Sequence, residues 1–129
     1  MSRFRGFSEI ALEAEDLERM LGFYEQVIGL EVLSRGEDRI WLDAGDGRLG
    51  LWLPGAKEFE DRGGRDVHFA LEPLDGEMPR VVERARASGI DVRGPVTHPG
   101  GDRSIYLRDP EGNVIEVWDR RNGAAPPAP

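Results

Sequence analysis

The sequence predicts an α+β fold, two paired βαβββ modules forming a half-open barrel with a central cleft. Three observations carry this. A strand motif occurs twice, as Glu-Ile-Ala-Leu-Glu-Ala-Glu-Asp over residues 9–16 and His-Phe-Ala-Leu-Glu-Pro-Leu-Asp over residues 68–75. Each copy runs into a segment of helical apolar spacing that reaches a glycine, Gly29 or Gly89. Three short alternating segments then follow each glycine. A duplicated half-domain cannot bury its apolar face alone, so the copies are expected to pair.

The first strand covers about residues 7–14, with Ile10, Leu12 and Ala14 on one face and Glu9, Ala11 and Glu13 on the other. Asp16 stands where a helix N-cap belongs. Leu17, Met20, Leu21, Tyr24, Val27 and Ile28 then recur at helical spacing, and Gly29 is placed to end the helix. Strands follow at about 30–35, 38–44 and 48–53, separated by turns at Gly36 and Asp46-Gly47. Residues 54–66 have no periodicity and read as a linker. The second half repeats the plan: a strand over 67–72, a helix striped by Met78, Val81, Val82 and Ala85, and strands at about 91–96, 103–108 and 113–119. The whole reads as one domain, residues 1–129, of two modules (about 7–54 and 66–119) with a flexible Ala/Pro-rich tail over 120–129.

Composition narrows the function classes. The net charge is −8, which disfavours nucleic acid and anionic membranes as partners, because phosphate contacts need a basic face. No apolar run is long enough for a membrane span, and the first residues lack the apolar stretch of a secretory signal. A cytoplasmic location is therefore the default expectation. The absence of cysteine excludes disulfides and thiolate ligands.

Asp16-Leu17 through Phe23-Tyr24 to Ile28-Gly29-Leu30, together with the closing Arg108-Asp109-Pro110-Glu111-Gly112-Asn113-Val114-Ile115-Glu116, resembles the vicinal oxygen chelate superfamily. That superfamily includes glyoxalase I, fosfomycin-resistance enzymes, extradiol dioxygenases and bleomycin-resistance proteins. The resemblance covers roughly residues 5–119 and implies the paired modules and a homodimer. It does not fix the reaction, because one fold hosts several chemistries and a pure binding role.

Family enzymes hold a divalent metal with side chains from the first strand of each module and the last strand of one or both. Carried onto this sequence, the resemblance implies Glu9, His68 and Glu116 as metal ligands. The remaining position, in module one, falls at about Gly50, which has no side chain. Glu9 departs from the histidine or glutamine more usual there. Two carboxylates and one imidazole suit Mn²⁺, Fe²⁺, Ni²⁺ or Zn²⁺. Tyr106 falls where fosfomycin-resistance enzymes place a substrate-contacting tyrosine; Ala11, where those enzymes carry threonine, argues against that substrate.

Each residue also has a plain reading. His68 would be satisfied by a backbone carbonyl, Glu9 exposed, and Tyr106 an ordinary cross-strand aromatic. Trp41, Trp52 and Trp118 are either core or an apolar wall. His98, in a Gly/Pro turn, is solvated or an acid–base group over the cleft. Arg103 is a surface cation or a carboxylate-binding group. Glu13, Glu15, Asp16 and Glu18 read as a solvated helix start.

Two functions compete. In the first, the chain is a metal-dependent enzyme of lyase, isomerase or dioxygenase type acting on a small substrate with adjacent oxygens, with Glu116 or Glu9 releasing the metal to serve as base and Tyr106 orienting substrate. In the second it is a metal-free, bleomycin-resistance-type protein that sequesters a cationic, planar drug in an acidic, aromatic groove. Three ligand-type residues at three expected positions favour the enzyme.

Overall fold

The computed structural model describes residues 3, 7–56 and 67–120. The chain divides into two compact units, residues 1–63 and 64–129. The elements of unit 1 are β1 (Glu9–Glu13), α1 (Leu17–Gly22), a π-helical turn (Phe23–Ile28), β2 (Val32–Arg35), β3 (Arg39–Asp43) and β4 (Arg48–Trp52). Those of unit 2 are β5 (His68–Leu71), α2 (Glu77–Ala87), β6 (Arg93–Thr97), β7 (Arg103–Arg108) and β8 (Val114–Asp119). Each unit is thus βαβββ, as the repeat predicts, and the fold class is α+β. Among the described residues no helix is long and apolar enough to cross a membrane. Most of the expected linker, residues 57–66, and the tail from residue 121 lie outside the described residues.

Both sheets have the same wiring. Unit 1 orders its strands β1-β4-β3-β2 and unit 2 orders them β5-β8-β7-β6. In each, the first strand lies parallel to the last, and the other neighbours are antiparallel. The helix after each first strand carries the chain across to the far edge strand, from which two antiparallel returns bring the last strand in beside the first, parallel to it.

Alternation along the strands gives each sheet two unlike faces. In unit 1 the apolar face holds Leu12, Ile40, Leu42, Leu49 and Leu51, all buried, with Met20 and Leu21 of α1. Burying such a side chain is worth about 1.5–3 kcal/mol. Asp16 caps α1 as expected, its Oδ1 accepting from the Arg19 amide at 3.1 Å. Glu18, in the first turn of α1, is ion-paired with Arg35 and stays largely exposed to solvent. One feature differs from expectation: after Gly22 the helix loosens into the π-helical turn before Gly29, at φ 95°, ends it. The Gly29 amide reaches back to the Tyr24 carbonyl at 3.1 Å. Spacing of i+3 and i+4 does not separate the two helix types over so short a stretch.

The other face of unit 1 is polar and aromatic. Register aligns Glu9 with Arg48, Ala11 with Gly50, and Glu13 with Trp52. Glu9 Oε1 pairs with Arg48 Nη2 at 3.2 Å, and that guanidinium lies 3.6 Å over the Trp41 ring. Arg39 lies 4.1 Å over Trp52 while also bonding Asp38 at 3.1 Å; that hydrogen bond holds the Asp38 carboxyl below the usual carboxylate range. Trp41 and Trp52 meet edge to face with centroids 5.5 Å apart. They close over Gly50 so tightly that an added Cβ would lie 2.5 Å from both Trp41 Cζ3 and Trp52 Nε1. Gly50 is therefore glycine because two indoles occupy its side-chain space. Gly50→Ala is expected to cost about 1–3 kcal/mol through overpacking, read as a lower denaturation midpoint with an altered tryptophan emission spectrum; unchanged stability would show that the rings move aside freely.

Candidate functional site

Unit 2 has a corresponding pair of faces. Phe69, Leu71, Ile105, Leu107, Ile115 and Val117 alternate onto one, the last four buried, while Met78, Val81 and Ala85 form the buried stripe of α2. The opposite face carries His68 from β5, Glu116 and Trp118 from β8, and Ser104 and Tyr106 from β7. Register aligns Glu116 with both Ala70 and Tyr106, and Ser104 with Trp118. Glu116 is therefore the unit 2 counterpart of Gly50, and His68 the counterpart of Glu9.

The β7–β8 turn fixes this register. Asp109, buried, accepts the amides of Glu111 and Asn113 on Oδ1 at 2.9 Å each, and the Asn113 side-chain amide on Oδ2 at 2.7 Å. Arg108 bonds the Gly112 carbonyl at 2.8 Å. Proline and glycine shape the turn, but the Asp109 carboxylate closes it.

Glu116 is the centre of the site. Its side chain is only 12% exposed, and a buried carboxylate must be given donors. It has three. His68 Nε2 donates to Oε1 at 3.1 Å, Ser104 Oγ to Oε2 at 2.6 Å, and Tyr106 OH to Oε2 at 3.3 Å. His68 is more open, with 54% of its side chain exposed. Burial, followed by the adjacent Glu116 charge and hydrogen bond, raises the Tyr106 pKa above 10, with the Ser104 hydroxyl opposing. Tyr106 thus remains a phenol, and a donor, at neutral pH.

The structure gathers His68, Glu116 and Tyr106, three of the four residues singled out in the sequence. Glu9 belongs to unit 1, where its carboxylate is paired with Arg48. Two further residues join the site. Ser104, fully buried, carries no motif that marks it in the sequence. His98 is half-buried rather than solvated, its Nε2 2.8 Å from Ser104 Oγ. Arg103 alternates with Ser104 and is exposed, away from this face.

The donors suit a divalent ion. Ligands adjacent on one ion, with bonds of about 2.1 Å, stand about 3.0–3.4 Å apart. His68 Nε2 and Glu116 Oε1 are 3.1 Å apart. Among the described residues no cluster of three or more His, Asp or Glu side chains is preassembled for a metal.

Comparison with known proteins places the chain. The family model of the Glyoxalase/Bleomycin resistance protein/Dioxygenase superfamily matches residues 6–117. The crystal structure of a lactoylglutathione lyase from Agrobacterium tumefaciens superposes with a TM-score of 0.76 at 28% identity, covering 91% of this chain and 95% of that one. A virulence protein of Salmonella typhimurium is 29% identical over 119 residues, 84% of this chain and 79% of that protein. A catechol-2,3-dioxygenase of Bacillus subtilis is 33% identical over 121 residues, 90% of this chain but 41% of that protein.

The shifted phenol is directly testable. In a Tyr24→Phe background, ultraviolet titration is expected to show Tyr106 ionising above pH 10, and Glu116→Gln is expected to lower that midpoint by removing the adjacent charge. A midpoint unmoved by Glu116→Gln would contradict the contact.

Proposed function

Since the chain belongs to the Glyoxalase/Bleomycin resistance protein/Dioxygenase superfamily, we propose that it is a divalent-metal-dependent enzyme acting on a small substrate with adjacent oxygens. The observation that carries this reading is the 3.1 Å approach of His68 Nε2 to Oε1 of a buried Glu116. The superfamily generally uses divalent metals and small-molecule substrates and commonly forms dimers, so a homodimer is part of the proposal. The named relatives include a lyase and a dioxygenase, so they support the class and not one reaction.

His68 Nε2 and Glu116 Oε1 would hold the ion in place of the hydrogen bond that now joins them. Mn²⁺, Fe²⁺, Ni²⁺ and Zn²⁺ all accept an imidazole–carboxylate pair. When bound, such an ion supplies Lewis-acid polarisation of a substrate oxygen. Tyr106, whose one hydroxyl hydrogen goes to Glu116 Oε2 at 3.3 Å, would orient a substrate oxygen by turning that hydrogen to it. Glu116, on release from one of its donors, is the base within reach. Glu9, the third ligand that the resemblance implies, would have to exchange its Arg48 ion pair for the metal.

That ion pair supports a second reading. With Glu9 neutralised by Arg48 and Gly50 covered by two indoles, unit 1 has the character of an aromatic binding wall edged by ion-paired side chains. On this view the chain is a metal-free drug- or small-ligand-binding protein, and the polar groups around Glu116 only satisfy one another.

Elemental analysis of tag-free protein separates the readings after exposure to Mn²⁺, Fe²⁺, Ni²⁺ and Zn²⁺. The enzyme reading expects one ion per chain, lost in His68→Ala and Glu116→Gln and weakened in Glu9→Gln. A parent protein that retains no ion would support the binding protein instead.

A further inference from the structure

Two polar groups beside Glu116 lie outside the ligand set, and their hydrogen bonds have a definite direction. Ser104 Oγ donates to Glu116 Oε2 at 2.6 Å. A serine hydroxyl carries one hydrogen, and here it is committed to an acceptor-only carboxylate. The 2.8 Å contact between Ser104 Oγ and His98 Nε2 therefore runs the other way, with the imidazole N–H donating. His98 Nε2 itself lies 4.0 Å from Glu116 Oε2, outside hydrogen-bond reach. His98 thus meets the carboxylate through Ser104, in a chain of donors that polarise one another toward Oε2.

The position of His98 is itself constructed. Its amide bonds the Asp102 carbonyl at 2.8 Å, and its own carbonyl accepts from the Gly101 amide at 2.9 Å, closing the turn over residues 98–102. The imidazole meets the Trp118 ring nearly edge to face, centroids 6.1 Å apart at 68°. Trp118 is in turn held by Asp102 Oδ2, which accepts the indole N–H at 2.5 Å. Turn, indole and aspartate together fix the ring against a serine that has no exposed surface.

We infer that Ser104 and His98 are positioning residues for the metal centre, engaging Glu116 Oε2 so that Oε1 is the oxygen presented, beside His68, to a divalent ion. This rests on the metal-dependent reading above. Hydrogen-bonded partners of a ligand set its orientation and basicity, and their loss typically weakens metal binding by about 10- to 100-fold. The arrangement engages Oε2 with the protein and would leave Oε1 for the ion.

The test is a calorimetric titration of the full chain with Co²⁺, with the visible Co²⁺ absorption recorded on the same samples. Ser104→Ala is expected to raise Kd by about 10- to 100-fold and shift the Co²⁺ bands, with Ser104→Thr restoring most of the affinity. His98→Ala is expected to weaken binding less, and to add nothing in a Ser104→Ala background, because it acts through the serine. Parent-like affinity in Ser104→Ala, or a full additive effect of His98→Ala, would overturn the inference. Nitrogen NMR of the metal-free protein gives an independent reading. It expects His98 to carry its hydrogen on Nε2 in the parent and to lose that preference in Ser104→Ala. A parent that binds no Co²⁺ would defeat the metal reading, and the role of Ser104 and His98 in holding the carboxylate would then stand or fall on this NMR result alone.

Discussion

A buried carboxylate is the constraint around which unit 2 is organised. Leaving Glu116 without donors would cost several kcal/mol, yet it sits on a central strand, aligned on either side with Ala70 of β5 and Tyr106 of β7. The neighbouring strands resolve the difficulty with side chains at adjacent register positions. β5 provides an imidazole, and β7 provides a hydroxyl and a phenol. These donors are supplied at different strengths, from 2.6 Å for Ser104 to 3.3 Å for Tyr106.

The two units show how one backbone plan yields unlike faces. β4 and β8 occupy equivalent places, parallel to the first strand of their sheets and antiparallel to the neighbour on the other side. One carries Gly50 under two crossed indoles; the other carries Glu116 under three donors. Likewise Glu9 and His68 occupy equivalent register positions, one neutralised by Arg48, the other turned to the carboxylate. Alternation of side chains makes this divergence cheap, since changes on the outer face leave the buried leucines and isoleucines beneath untouched.

The strand–helix plan was legible because it depends on local signals: alternation, the Asp16 cap, and glycines at the ends of helices. The position of Glu116 was legible too, because the Asp109 turn fixes its register within a few residues of sequence. The π-helical turn was not, since its apolar stripe has the spacing of an ordinary helix. Ser104 was silent for another reason. A serine between Arg103 and Ile105 resembles any polar strand residue, and its role depends on pairing with β8, which sequence spacing does not report. His98 was visible only as a histidine in a flexible-looking turn; Asp102 and Trp118, which hold it, become its neighbours only once β7 and β8 pair. Pairing of Glu9 with Arg48 is likewise a cross-strand contact between residues far apart in the chain.

In the proposed metal centre, Glu116 would offer Oε1 together with His68 Nε2 to a divalent ion while Oε2 stays with Ser104. Anomalous scattering from crystals grown in Zn²⁺ tests it most directly. The predicted result is a single peak about 2 Å from both His68 Nε2 and Glu116 Oε1, with the Ser104 hydrogen bond to Oε2 intact. No peak at saturating Zn²⁺, or an ion bound through Oε2 with Ser104 displaced, would contradict it.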